Sequence, residues 1–228
     1  IYPLMQLWGF STKEYHIPTP EELAEYLPLA DASKIEFDGQ SVRLAEGQAI
    51  DFGGIAKGYA AQRAIEIFQS YGVVSGMVSL GGNIQVLGAK PGGADWRIGI
   101  RDPEGSQGAV LAVVPVQDRA LVTSGGYERY FEENGETYIH ILDPRTGCPA
   151  ETDLLSVTVV AADGMLADGL STSLFIMGST AAVDYWRAEG CAFDMVLVTA
   201  DRSVLVTEGI SGGLQSEAAV QILYPMAG

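Results

Sequence analysis

The sequence predicts an α+β fold built from antiparallel sheets and packed helices. Short apolar strand patterns are separated by turn signals, most clearly at Asn134-Gly135 and Asp201-Arg202. Few helical patterns interrupt them, and regular strand–helix–strand alternation is absent from the sequence. The chain has 228 residues, of which 47% are apolar and 18% are charged, so it can bury a sizeable core. We therefore expect one domain over residues 1–228.

The N-terminal part begins with aromatic residues for which we predict irregular structure. Thr19 can cap a helix, Pro20 suits its first position, and acidic residues follow in the first turn. This pattern predicts a helix that ends near Pro28. A short hairpin is predicted over 35–44, with its turn at Asp38-Gly39.

A glycine-rich stretch, DFGGIAKG at Asp51–Gly58, opens the next predicted helix. Apolar residues keep helical spacing as far as Tyr71, and Gly72 is a suitable stop. Two further helices are predicted at 164–177 and 180–189. Strands are predicted at 77–80, 84–87, 96–101, 110–115, 120–124, 127–132, 137–142, 156–161, 194–199, 204–208 and 220–223.

Composition excludes several classes of function. The net charge of −16 leaves no basic surface for nucleic acid or for an anionic membrane. Cys148 and Cys191 lack the spacing of a zinc site and allow one disulfide at most, which the sequence leaves open.

The first candidate site is Asp51, Gly53, Gly54 and Lys57 at the start of a predicted helix. Glycines allow close approach of a ligand, and free N–H groups at a helix start bind phosphate oxygens. A tight turn with a surface lysine is an equally good interpretation.

Asp168 and Thr172 form the second candidate site, because four-residue spacing places them on one helix face. Their oxygens suit Mg²⁺ or Ca²⁺. A solvated, locally hydrogen-bonded pair is the ordinary alternative.

His140 is the third candidate, since a neutral imidazole near a carboxylate can act as a general base. A half-buried strand histidine before an Asp-Pro turn is the alternative. Thr123, Ser124 and Gly125 could hold phosphates or make an ordinary turn.

Taken together, these stretches resemble one family. The blocks are DFGGIAKGYA, SLGGNIQVLG, WRIGIRDP, TSGGYERYF, HILDPRTGCPA and MLADGLSTSLFIMG, in this order. They are similar to the signature blocks of the ApbE family, the FAD:protein FMN transferases. The resemblance implies an α+β fold with a T-fold-like core and a preceding N-terminal segment that the present sequence lacks.

The resemblance also implies site residues and an activity. Mg²⁺ would be held by the side chains of Asp168 and Thr172 and by the carbonyls of Ser171 and Gly54. His140 would take a proton from the acceptor hydroxyl. The implied FAD-binding residues are Asp51, Gly53, Lys57, Thr123, Ser124 and Gly125.

The implied reaction transfers FMN from FAD to a Thr or Ser hydroxyl of an acceptor protein and releases AMP. Typical acceptors are subunits of Rnf-type and Nqr-type redox complexes. The resemblance implies an extracytoplasmic location, periplasmic or at the cell surface, with a lipid anchor. Two alternatives stay open: a Mg²⁺-dependent FAD pyrophosphatase, and a non-catalytic FAD-binding carrier or assembly factor.

Overall fold

The computed structural model describes residues 1–106 and 108–226. Five α-helices lie in these ranges: α1 (Tyr2–Leu7), α2 (Pro20–Tyr26), α3 (Ala56–Ser70), α4 (Gly164–Ala188) and α5 (Glu208–Ser211). Two 3₁₀ turns follow α2, at Leu27–Ala30 and Ala32–Lys34. The strands are β1 (Glu36–Phe37), β2 (Val42–Arg43), β3 (Gly76–Leu80), β4 (Asn83–Leu87), β5 (Trp96–Arg101), β6 (Val110–Val116), β7 (Ala120–Gly125), β8 (Tyr130–Glu133), β9 (Glu136–Ile139), β10 (Leu154–Ala161), β11 (Asp194–Thr199), β12 (Val204–Thr207), β13 (Gln215–Ser216) and β14 (Val220–Leu223).

Two compact units make up the fold. The first comprises residues 1–52 and 128–151, and the second comprises 53–127 and 152–228. The expectation of a single domain over the whole chain stays a prediction.

The second unit contains a seven-stranded sheet in the order β14-β12-β11-β10-β7-β4-β3. Its neighbouring strands are antiparallel except for the parallel pair β12 and β14. A three-stranded antiparallel sheet has the order β13-β6-β5. The predicted α+β class is confirmed.

The core of the second unit lies between these two sheets. Side chains alternate between the faces of a strand, so Val196 and Val198 of β11 join a buried cluster with Ile98 and Val114 of the smaller sheet. The opposite face of the large sheet is covered by α4, which packs on β10 and β7, and by α3, which packs on β3, β4 and α4. Ser124 of β7 lies on this helix-covered face, against Ser171 and Thr172 of α4.

Helix α4 is interrupted at Gly178, where the sequence predicts the boundary between two helices. Gly178 has φ 79° and ψ 168°, so the helical path is interrupted there. By length and composition α4 is also a candidate to cross a bilayer. Its residues Ala167, Leu174 and Phe175 are buried, as in the core helix of a folded domain.

The first unit is held together by an aromatic core. Trp8 and Phe10 pack with Phe131 of β8 and with Leu142, and the indole N–H of Trp8 donates to the carbonyl of Gly147. The prediction of irregular structure before Thr19 was wrong for Tyr2–Leu7, which forms α1. Burial of the apolar side chains of α1 stabilises a helix too short to form alone.

Several helix and strand boundaries agree with those predicted from local sequence signals. Strands β5, β11 and β14 have the predicted bounds, and the N-cap of α2 is Thr19 with its capping box. The strand predicted at 137–142 ends earlier, at Ile139, so His140 follows the strand. Helix α5 and strand β13 were not predicted.

In the described part of the chain both cysteines are free thiols.

Candidate functional site

A polar seam runs between α4 and the large sheet in the second unit. On α4 it comprises residues spaced to share one face, namely Gly164, Asp168, Ser171 and Thr172. On the sheet it comprises Gln85 and Asn83 of β4 and Ser124 of β7. These seven residues together form the polar seam.

Asp168 is the only ionisable member of the polar seam and is only 4% exposed. Its Oδ2 accepts a hydrogen bond from the backbone N–H of Gly58, at 2.8 Å. Burial raises the pKa of Asp168 above its ordinary value, and the Gly58 amide and the charge of Lys57 oppose that rise. A buried carboxylate of this kind gains from a cation placed beside it.

The hydroxyl groups of the polar seam form a directed chain. Ser171 Oγ donates its one proton to the carbonyl of Asp168 at 2.8 Å. The bond of 2.8 Å between Ser124 Oγ and Ser171 Oγ must then be donated by Ser124. By the same logic Thr172 donates to Ser124 at 3.0 Å, which leaves the lone pairs of Thr172 Oγ1 to accept or to bind a cation.

The donor set fits Mg²⁺. The polar seam offers a carboxylate, hydroxyls and amide oxygens, which are hard ligands. In residues 1–106 and 108–226 there is no group of three or more His, Cys, Asp or Glu that could hold a metal ion, so a cation here would depend on Asp168 together with hydroxyl and carbonyl oxygens. The side-chain oxygens of Asp168 and Thr172 belong to the same face of α4.

Close packing of two helices places the Gly58 amide against Asp168. A Cβ on Gly58 would lie 2.1 Å from the carbonyl oxygen of Gly164 and 2.8 Å from Asp168 Cβ. Only glycine permits this approach of α3 to α4. Lys57 and Gly54 lie exposed beside it, at the start of α3.

The predicted flavin-pocket residues of β7 do not share one face. Ser124 belongs to the polar seam, whereas Thr123 Oγ1 is hydrogen-bonded at 2.8 Å to Thr158 Oγ1 on the other face of the sheet. Gly125 is buried, and a Cβ there would lie 2.5 Å from the ring of Tyr127. The side chain of Ser124 therefore lies beside α4, whereas that of Thr123 does not.

Asp51 and His140 belong to the first unit. Asp51 is exposed. His140 is half-buried after β9, with its ring edge toward Phe10 at 6.4 Å between centroids. Its Nδ1 lies 3.0 Å from the carbonyl oxygen of Arg129, which can only accept, so Nδ1 carries the proton. In the neutral ring the lone pair is then on Nε2.

The DPRTG turn after His140 is built around Asp143. Its carboxylate accepts from the backbone N–H of Arg145 at 2.8 Å and from the guanidinium of the same residue. The Arg145 guanidinium holds the pKa of Asp143 below its ordinary value. The turn is therefore stabilised by the charged form of Asp143.

Replacing Asp143 by Asn is expected to lower Tm at neutral pH by several degrees. A depressed pKa in the folded state means that this stability is present above the unfolded pKa, about 3.9, and is lost as the pH falls through the folded pKa. Thermal unfolding of both proteins between neutral and acidic pH should show the difference vanish in acid. Glu151→Gln, an exposed change in the same unit, is the control. A pH-independent difference would contradict the role given to the charge.

Sequence reasoning did not single out several residues of the site. Gln62 on α3 accepts from Gln85 Nε2 at 2.6 Å and from the backbone N–H of Gly164 at 3.2 Å, which ties α3, β4 and the start of α4 together. Asn83 and Gly58 were also missed as site residues. The sequence does contain a signal for Asn83: it alternates with Ile84 and Gln85 in a buried strand. Two polar side chains on the buried face of a strand need hydrogen-bond partners there, which indicates a polar site.

Comparison with known proteins identifies relatives along most of the chain. A sequence model described as the ApbE family matches residues 1–195. A Treponema pallidum protein named FAD:protein FMN transferase is 35% identical over 222 residues, covering 90% of this chain and 61% of the relative. A protein of the same name from Salmonella typhimurium is 32% identical, covering 86% of this chain and 58% of the relative.

Solved structures show the same similarity. The crystal structure of the ApbE protein from Thermotoga maritima has a TM-score of 0.83 at 36% identity, covering 91% of this chain and 68% of that one. The apo flavinyl transferase ApbE from Pseudomonas stutzeri has a TM-score of 0.74 at 32% identity, covering 87% of this chain and 61% of that one. The present chain spans about three fifths of the length of the curated relatives.

Proposed function

The chain belongs to the ApbE family, and from this premise we propose that it transfers FMN from FAD to a Thr or Ser hydroxyl of an acceptor protein. The observation that carries the proposal is the polar seam around Asp168, in a chain whose relatives are named FAD:protein FMN transferases. A buried carboxylate with hydroxyls on one helix face provides the hard oxygens that a pyrophosphate-cleaving site needs for its cation.

The proposed step is a displacement at phosphorus. The acceptor hydroxyl oxygen forms a bond to the FMN phosphorus of FAD, and the bond from that phosphorus to the bridging oxygen breaks. AMP departs with the bridging oxygen and its electron pair. The hydroxyl proton passes to Nε2 of His140, the nitrogen that carries the lone pair when Nδ1 donates to the carbonyl of Arg129.

The other candidate site residues bind and orient FAD and its cation. Lys57 and the amides near Gly53 and Gly54 bind phosphate oxygens. Asp51 and residues 123–125 contribute to FAD binding, with Thr123 acting through its backbone because its side chain is bonded to Thr158 on the other face of the sheet. Asp168, Thr172 and the carbonyls of Ser171 and Gly54 hold Mg²⁺. When bound, Mg²⁺ neutralises charge on the pyrophosphate. The hydrogen-bonded chain through Ser124 keeps Thr172 Oγ1 in a single orientation.

The partners and location of the protein are part of the same proposal. We propose acceptors of the Rnf or Nqr type, and an extracytoplasmic, lipid-anchored full-length protein. Both rest on the family resemblance. The net charge of −16 favours neutral or basic surroundings for an acceptor segment over an acidic one.

A transfer assay tests the reaction and the role of His140. The chain is incubated with FAD, Mg²⁺ and an acceptor domain; AMP is measured by chromatography and acceptor-bound FMN by mass. His140→Ala is expected to lower the transfer rate by about a hundredfold or more, as loss of a general base does. His16→Ala is the matched control, because that histidine is exposed and pairs with Glu22.

The products separate the alternatives. AMP together with labelled acceptor supports the transferase. AMP with free FMN and unlabelled acceptor would show an FAD pyrophosphatase. FAD binding with no AMP would show a carrier, and a His140→Ala protein with the wild-type rate would contradict the proton transfer.

A further inference from the structure

The polar seam pairs sheet residues with helix residues in register. At one end, Gln85 Oε1 lies 2.5 Å from where a Cβ on Gly164 would stand. At the other end, Ser124 is hydrogen-bonded to Ser171 and Thr172. Between these ends, each side of the seam has one further member.

Those two members are Asn83 and Asp168. Asn83 shares its face of the sheet with Gln85, two residues along β4, and with Val122, its registered partner on β7. Ser124 lies two residues beyond Val122 on that same face. Asp168 lies one turn after Gly164 and one turn before Ser171. The register therefore sets the Asn83 amide opposite the Asp168 carboxylate.

Asn83 is fully buried, with 0% of its surface exposed. Within residues 1–106 and 108–226, neither its Oδ1 nor its Nδ2 has a hydrogen-bond partner of full geometry. A buried amide left in this state costs free energy, and native proteins rarely keep one without a use. Burial raises the pKa of Asp168, and a weak hydrogen bond from the Asn83 amide, too poor in geometry to satisfy that amide, is among the interactions that oppose the rise.

We infer that Asn83 is a positioning residue of the metal site: its amide donates to the Asp168 carboxylate, in addition to the Gly58 amide, when that carboxylate holds Mg²⁺. The inference rests on the proposed function. Two donors from α3 and β4 fix the plane of the carboxylate, which one donor leaves free to rotate. Such outer partners of metal ligands commonly contribute tenfold or more to metal affinity.

Because the Asn83 amide is poorly satisfied in the metal-free protein, this role can be distinguished from a structural one. A residue retained for packing destabilises the protein when it is changed. A residue retained for the metal site can instead lower the stability of the metal-free protein. Replacing such a residue by an apolar side chain of similar branching then raises that stability. Asn83→Leu should therefore raise the Tm of the metal-free protein while it weakens Mg²⁺ binding.

The experiment measures both properties on wild type, Asn83→Leu and Asn83→Ala. Mg²⁺ affinity is measured by titration calorimetry without FAD, and Tm is measured in EDTA. We expect both variants to raise the Kd for Mg²⁺ about tenfold or more. Ser156→Ala is the matched control: Ser156 is equally buried and its Oγ has no partner among the described residues, but it lies on the opposite face of the sheet. It should leave Kd unchanged.

The outcomes separate this inference from the proposed function. A Kd in the folded Asn83 variants equal to that of wild type would overturn the role of Asn83 alone. An Asn83→Leu protein with a much lower Tm in EDTA, or one that fails to fold, would also overturn it, because the residue would then be structural. A folded wild type that binds no Mg²⁺ would contradict the metal part of the proposed function, and the role of Asn83 with it.

Discussion

Asp168→Asn is expected to abolish FMN transfer, with a fall in rate on the order of a thousandfold. A cation at the reacting phosphate contributes several kcal/mol, and each 1.4 kcal/mol, roughly, is a factor of ten in rate. Asn keeps an oxygen that can accept from the Gly58 amide, so we expect the fold to be retained while the charge proposed to hold Mg²⁺ is lost. The measurement is the rate of acceptor labelling at saturating FAD.

Asp184→Asn provides the matched control, since Asp184 lies exposed on the same helix and loses the same charge. It should transfer FMN at the wild-type rate. An Asp168→Asn protein that retained more than about a tenth of the wild-type rate would contradict the assignment of Asp168 as the charged metal ligand.

The same variant should be more stable than wild type without metal at neutral pH. Burial raises the pKa of Asp168, so its contribution to stability is present below the unfolded pKa of about 3.9 and is lost as the pH rises through the folded pKa. Asn imitates the protonated form at every pH. The advantage of Asp168→Asn should therefore shrink as the pH is lowered, which thermal unfolding in EDTA would show.

Gly58→Ala is expected to destabilise the protein by about 3 kcal/mol, an overpacking effect at a rigid contact. The added Cβ would lie 2.1 Å from the carbonyl oxygen of Gly164, which is backbone and cannot move alone. Separation of α3 from α4 would also lengthen the 2.8 Å bond to Asp168, so Mg²⁺ binding should weaken. Urea unfolding measures the first effect and calorimetry the second.

Gly212→Ala is the control for this change. Gly212 has φ −66°, and a Cβ there meets no heavy atom of the described residues within 4 Å. Its unfolding free energy should stay close to that of wild type. Equal stability of Gly58→Ala and wild type would mean that the two helices can separate at no cost, and would refute the close-packing argument.

Much of the fold was accessible from local patterns. The capping box at Thr19, the turn at Asn134-Gly135 and the glycine break in α4 each involve residues only a few positions apart. Alternation of apolar residues marks the bounds of β5, and a continuous apolar run marks those of β11. Signals of this kind act through backbone geometry and short-range hydrogen bonds, so one sequence is enough to read them.

Some features of the candidate site also follow from local sequence, and others depend on contacts between distant residues. From the sequence alone it follows that Asp168 and Thr172 share a helix face and that blocks similar to those of the ApbE family occur in order. Three features could be seen only in the folded protein: Ser124 faces that helix while Thr123 faces away, Asp168 is buried, and the Asn83 amide lies near its carboxylate. The Gly58 amide and the Asp168 carboxylate are 110 residues apart in the chain. Which distant groups meet depends on strand register and helix packing, and these are set by the burial of the whole core rather than by any local pattern.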